Sequence, residues 1–211
     1  MRINKLYISL VIIGILVIAY PIIGKIIDKK NQTYVIYKYE ENINKMDENS
    51  IQDEKKKYEK YNNEILNNKS THIDLLQTGK QLGYIKIEKI KLFLPIYEGT
   101  NEKTLYEGIG HLEDTSLPTK KGCYHAVFLG HSGITGKELF DNLDKLKIND
   151  FFTITILNES FEFKIYNIKK VLPNQTKDLK VQRNKKLATL ITCTPKYINS
   201  HRLLIMGELV E

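Results

Sequence analysis

The chain has 211 residues, 42% of them hydrophobic and 27% charged, which suits one packed domain with appendages and excludes a wholly disordered polymer. Its two cysteines, Cys123 and Cys193, are too few for a disulfide scaffold and lack the C-x-x-C spacing of zinc or redox sites. The net charge of +7 raises the question of nucleic acid, but the excess is spread along the chain: residues 1–80 carry 13 Lys+Arg against 10 Asp+Glu, and residues 81–211 carry 19 against 15. No nucleic-acid partner is expected. The Lys-rich stretch from Lys164 to Lys186 reads either as a solvated face or as a face near an anionic envelope.

The stretch from Leu6 to Ile23 contains no charge and spans roughly 27 Å as a helix, close to the thickness of a bilayer's hydrocarbon core. Pro21-Ile22-Ile23-Gly24-Lys25 is a poor cleavage site, so an anchor is favoured over a signal peptide. Basic residues flank both ends and leave the orientation open. Residues 1–30 are thus read as a transmembrane anchor with its flanks. Residues 31–82 are read as a stalk and linker. There Tyr39, Ile43, Met46, Tyr58, Tyr61 and Ile65 recur at helical intervals, which predicts one or two amphipathic helices lifting the domain off the membrane. A charged disordered tether is the alternative. Thr71 to Gln81 has no clear period and reads as a loop.

Residues 83–211 change to a period of two. Strands are expected at Gly83–Glu88, Lys91–Tyr97, Ala126–Leu129, Phe151–Leu157, Phe161–Val171, Leu187–Thr192 and Arg202–Val210. Asn158-Glu159-Ser160 gives a hairpin, and Pro95 points to an edge or a bulge. Short helices are expected at Asn101–Tyr106 and Gly136–Leu146, the latter with Leu139, Phe140, Leu143 and Leu146 on one face. Many short strands with regular turns predict an all-β barrel or sandwich.

Three chemically capable residues fall at predicted strand ends. Cys193 closes Ala188-Thr189-Leu190-Ile191-Thr192-Cys193 before Thr194-Pro195. His131 follows a buried strand in Gly130-His131-Ser132-Gly133, and Arg202 begins the next strand after Cys193. A cysteine nucleophile needs a thiolate, which a nearby imidazole or cation favours. An arginine offers fixed donors to an oxyanion. Arginine is rare here, only Arg2, Arg183 and Arg202 against 29 lysines, which raises the question of what a planar fork does at position 202. The plainer readings are a buried thiol, a turn histidine and a surface charge.

Thr189-Leu190-Ile191-Thr192-Cys193 resembles the TLxTC signature of sortases, and His131 stands in a similar Gly-His context. The stretches Thr194-Pro195, Ile198–Leu204, Gly110–Pro118 and Leu172–Thr176 resemble class C, pilin-assembling members. The resemblance covers about Gly83 to Glu211. It implies a closed β-barrel of about eight strands and a membrane-anchored cysteine transpeptidase on the extracellular face. It further implies that Cys193 attacks an LPXTG-like sorting signal, with His131 as acid and base and Arg202 on the oxyanion or the substrate backbone. The acceptor would be an amine, from a pilin lysine or a cell-wall precursor. No metal or cofactor is implied. A catalytically silent, membrane-tethered binding domain is the alternative from outside this class.

Asn67 to Leu82 lacks the Asp-Pro-aromatic motif of many class C lids, Ser132 stands where arginine is common, and the C-terminal membrane helix of many class C members has no counterpart before Glu211. His201 is expected to face away from Arg202's site. His72, His111 and His125 are expected to be structural or exposed. Cys123 is expected to be a free thiol inside the barrel, the alternative being a disulfide with Cys193.

Overall fold

Lys5–Lys45 forms one continuous helix, α1, in a computed structural model that describes residues 5–67, 76–175, 179–182 and 184–210. Its first part is an unbroken apolar window, none of it buried, long enough to cross a membrane. A second helix, α2 (Glu48–Leu66), starts where the Asp47 side chain accepts the Ser50 N–H at 2.9 Å, which satisfies one of the unpaired donors of a first turn.

The remaining chain closes a barrel. Its strands are β1 (Gln81–Ile87), β2 (Leu92–Glu98), β3 (Ile109–His111), β4 (Tyr124–Leu129), β5 (Phe151–Ile156), β6 (Glu159–Val171), β7 (Lys186–Thr194) and β8 (His201–Leu209). The order around the barrel is β1-β2-β3-β4-β7-β8-β6-β5. The expectation of an eight-stranded closed barrel with short helices holds. β2 pairs with β3, and β4 with β7, in parallel; every other pair is antiparallel. Closure pairs every strand on both sides and removes free sheet edges. Pro95 lies just before β2 begins to pair with β3, outside that ladder.

The barrel is filled by alternate residues of its strands. Ile85, Ile96, Phe128, Phe152, Phe163, Leu190 and Ile205 are essentially inaccessible, and Phe152 stacks on Phe163 with centroids 5.2 Å apart.

One expected helix is replaced. Asn101–Tyr106 matches α3 (Glu102–Glu107), capped by Asn101. Gly136–Leu146, by contrast, is a chain of turns with a single short 3-10 turn at Leu143–Lys145. Leu139, Phe140, Leu143 and Leu146 are buried as their spacing predicts. The backbone nevertheless does not coil, because the Phe140 N–H donates to the His131 carbonyl at 2.9 Å rather than to a helical neighbour.

The two N-terminal helices do not hold the barrel at a distance. Tyr39, Ile43, Ile51 and Tyr58 join the main core. The Tyr39 hydroxyl donates to the Leu82 carbonyl at 2.5 Å and accepts from the Leu157 N–H at 2.9 Å. Buried Asn62 grips Leu117 on both backbone groups, at 2.7 Å to its carbonyl and 2.8 Å from its N–H. Each such bond satisfies barrel backbone that water cannot reach. The helical periodicity of this segment therefore records packing against the barrel, not a free stalk.

Candidate active site

The open C-terminal ends of β4 and β7 and the start of β8 meet at one end of the barrel. Parallel pairing of β4 with β7 reaches Leu129↔Ile191, and the Gly130 N–H continues it to the Ile191 carbonyl at 3.0 Å. Beyond it, bonds from Thr192 to Gly130 and from Ser132 to Cys193 hold the turn that carries His131 beside the end of β7. On the other side of β7, Cys193 is the direct cross-strand partner of Arg202. Cys193 and Arg202 are thus brought together by register and His131 by the turn that follows β4, and all three are half-buried.

Local hydrogen bonds fix this cluster. The buried Thr192 hydroxyl donates to the Gly130 carbonyl at 2.8 Å. The Ser132 hydroxyl donates to the Cys193 carbonyl, also at 2.8 Å. Thr192 and Ser132 therefore lace the histidine turn to the cysteine strand on both sides. The Gly133 N–H donates to a buried Asp141 carboxylate at 3.0 Å. A Cβ on Gly130 would sit 2.6 Å from the Phe140 ring, so only glycine lets this turn press against the core.

Arg202 is held by its own loop. One terminal nitrogen, Nη1, donates to the carbonyls of Asn199 at 3.1 Å and His201 at 3.2 Å. Among the described residues, no hydrogen bond engages Nη2 or Nε. A lysine could not divide its donors in this fixed way.

The other histidines are committed elsewhere. His111 is fully buried, with Nδ1 at 2.7 Å from the Glu98 carboxylate and Nε2 at 3.1 Å from the Ser116 carbonyl. His125 is also buried, between the Lys180 carbonyl at 3.0 Å and the Thr189 hydroxyl at 2.7 Å. His201 is exposed and bonded to Ser200. His131 differs: it is half-exposed and no ring hydrogen bond ties it to any described residue. His72 and the residues from 68 to 75, where a lid was weighed, lie outside the described residues.

Cys123 is not inside the barrel. It is half-exposed, immediately before β4, while Cys193 lies at the far end of the neighbouring parallel strand. Register places position 123 about eight residues from 193 along that pair, roughly 26 Å. A disulfide needs Cα atoms within about 7 Å, so the alternative pairing is excluded in this fold. Both thiols are free.

Sequence reading overlooked Ser132 and Asp141 as supports of the site. Thr192 was visible only as a letter of the TLxTC signature. Its role is to tie the end of β7 to the turn that carries His131.

A family model described as the sortase domain matches residues 85–210. Among solved structures, a Clostridium perfringens sortase C with the C-terminal cell wall sorting motif is 37% identical, with a TM-score of 0.80 over 85% of this chain and 99% of that one. Streptococcus agalactiae sortase C1 is 35% identical, with a TM-score of 0.76 over 82% of this chain and 96% of that one. Bacillus subtilis sortase D is 30% identical over 137 residues, covering 64% of this chain and 66% of the relative's length. The barrel, the TLxTC strand end and these matches lead to one conclusion: the chain belongs to the sortase family of cysteine transpeptidases and is most similar to class C members.

Proposed function

We propose that this protein is a membrane-anchored sortase of the pilin-joining type, with Cys193 as nucleophile, His131 as acid and base, and Arg202 as the oxyanion or substrate-backbone donor. What supports the reading is the β7–β8 register that pairs Cys193 with Arg202, together with the Ser132–Cys193 bond that ties the turn carrying His131 to the same end of the barrel. The Cys193 thiolate attacks the Thr–Gly carbonyl of an LPXTG-like signal. Arg202 Nη2 and Nε face the charge that grows on the carbonyl oxygen. The C–N bond breaks, a thioester remains on Cys193, and the departing glycine amine takes a proton from His131. An incoming primary amine then attacks the thioester. It yields its proton to His131 and expels the thiolate as the new amide forms.

Similarity to sortases C and C1 supports a lysine side chain as the acceptor. The test is a competition. An LPXTG-type donor peptide is offered an equimolar mixture of a lysine-bearing pilin domain and a glycine-terminated cell-wall stem peptide. Ligation to the lysine is expected to dominate. Predominant ligation to the stem peptide would replace this reading with that of an anchoring sortase.

A further inference from the structure

Helix α1 does not leave the barrel at an arbitrary point. A Cβ on Gly24 would lie 2.9 Å from the Gly136 Cα, so the two backbones touch just past the apolar window. One turn on, Asp28 meets Lys137 at 2.8 Å, both side chains largely buried, and Lys137 also covers the Tyr106 ring at 4.2 Å. Another turn on, the Gln32 amide donates to the Glu107 carbonyl at 2.8 Å, beside the start of β3. Tyr39 then reaches Leu82 and Leu157 at the opposite end. From Gly24 to Tyr39 the helix runs about 22 Å along the barrel wall. Its apolar part therefore emerges at the end that carries His131, Cys193 and Arg202.

The distances at that end are short. Ser132, bonded to the Cys193 carbonyl, is four residues from Gly136, at most about 14 Å of chain. Gly133 lies against the Tyr197 ring, which a Cβ would approach to 3.1 Å. Cys193 and the β7–β8 loop thus sit within about 20 Å of the last residues of the apolar window.

That loop presents Tyr197 and Ile198 to the outside, 81% and 71% exposed. Tyr197 holds a left-handed backbone with φ 68°, a conformation unfavourable for an aromatic residue, while its ring stands outward. The Tyr197 ring lies against Gly133 on its inner side, and with Ile198 it forms an exposed apolar tip on the catalytic end. A tyrosine beside an aliphatic residue suits the bilayer's headgroup region, where one end is apolar and the other wet.

We infer that the catalytic end of the barrel faces the bilayer that α1 enters, and that Tyr197 and Ile198 rest in its headgroup layer. This rests on the reading of α1 as a membrane anchor. The three latches at Gly24, Asp28 and Gln32 fix the orientation, so the thiol works close above the lipid surface.

The chain contains no tryptophan, so one introduced indole reports alone. Three full-length variants, Ile12→Trp, Tyr197→Trp and Lys121→Trp, are reconstituted in phosphatidylcholine vesicles without bromine, with bromine on the acyl chains near the headgroups, and with bromine near the chain ends. Position 12 lies in the apolar window and position 121 is exposed at the far end of the barrel. Strong quenching is expected at position 12. At position 197 it should exceed the value at 121 by about threefold or more, since an interfacial indole lies within reach of shallow bromines. Ile198→Trp, at an equally open position, serves as the second probe of the loop. Quenching at 12 with no difference between 121 and both loop positions would overturn the inference and leave the anchor intact. No quenching at position 12 would overturn the anchor reading and the inference with it.

Discussion

Replacing Thr192 by valine isolates one hydrogen bond of the site at nearly constant volume. The hydroxyl is buried and donates to the Gly130 carbonyl at 2.8 Å. Valine removes the donor and leaves that carbonyl without its partner, at a cost of about 1–3 kcal/mol. For a protein of this size each kcal/mol lowers Tm by roughly 2–4 °C, so a drop of about 4–8 °C is expected at the middle of that range. The rate should suffer more than the stability implies, because Gly130 directly precedes His131. A misplacement of about 1 Å can cost about 100-fold. The assay follows Tm by circular dichroism in one detergent and kcat/KM for cleavage of an LPXTG-type peptide in the same preparations. Thr194→Val, two residues on and facing the same way from β7, is the control. The reasoning is refuted if Thr192→Val keeps wild-type Tm and kcat/KM, or if Thr194→Val reproduces both losses.

Arg202→Lys retains the charge but not the planar fork, and kcat/KM should fall by about 100- to 1000-fold with the fold intact; turnover above half of wild type would remove Arg202 from the oxyanion role. Asn62→Ala leaves both backbone groups of Leu117 unpaired under α2, which predicts a loss of about 2–4 kcal/mol in a denaturant titration. A loss below about 0.5 kcal/mol would show that α2 is only loosely held. Tyr97 has its phenol pushed up from 10.0 to about 12 by burial, with the Glu107 charge adding to the effect. The fold favours the neutral phenol, so this contribution is complete below the unfolded value near 10 and is lost as pH rises through about 12. Tyr97→Phe should therefore flatten the alkaline fall of Tm between those values, and an unchanged slope would assign that fall to other groups.

Much of the barrel could be read from alternation, because strands buried on one side must repeat every two residues. β1 and β6 were legible in this way, whereas β7 and β8 carry continuous runs of buried residues and show as apolar runs bounded by turns. β3 was not: it has only three residues, and its buried His111 looks polar until Glu98 and Ser116 are placed around it. The segment from Gly136 to Leu146 shows the opposite difficulty. Its apolar residues recur at helical spacing and are all buried, yet Phe140 gives its N–H to His131 and Gly133 and Gly136 adopt left-handed backbones. Spacing reports which side faces the core and cannot say where the backbone bonds go. The helices of residues 31–67 were legible as helices, but the partner of their apolar stripe was not. Tyr39 and Asn62 bind barrel backbone 43 and 55 residues away in sequence.

The site was legible from its wording more than from its physics. Cys193 and Arg202 at adjacent strand ends follow from a turn between consecutive strands. The neighbourhood of His131 depends on the parallel pairing of β4 with β7, which brings together segments about sixty residues apart and has no local signal. Cys123 was misplaced for the same reason, since only the register shows which end of β4 lies beside which end of β7.

The most direct test of the account is to locate the acyl group. The full-length protein is incubated with an LPXTG-type peptide without acceptor, quenched in acid, digested and weighed by mass spectrometry. The account predicts the acyl fragment ending in threonine on the fragment that contains Cys193, released by hydroxylamine, absent in Cys193→Ala and retained in Cys123→Ala. An adduct on Cys123, or undiminished cleavage by Cys193→Ala, would contradict it.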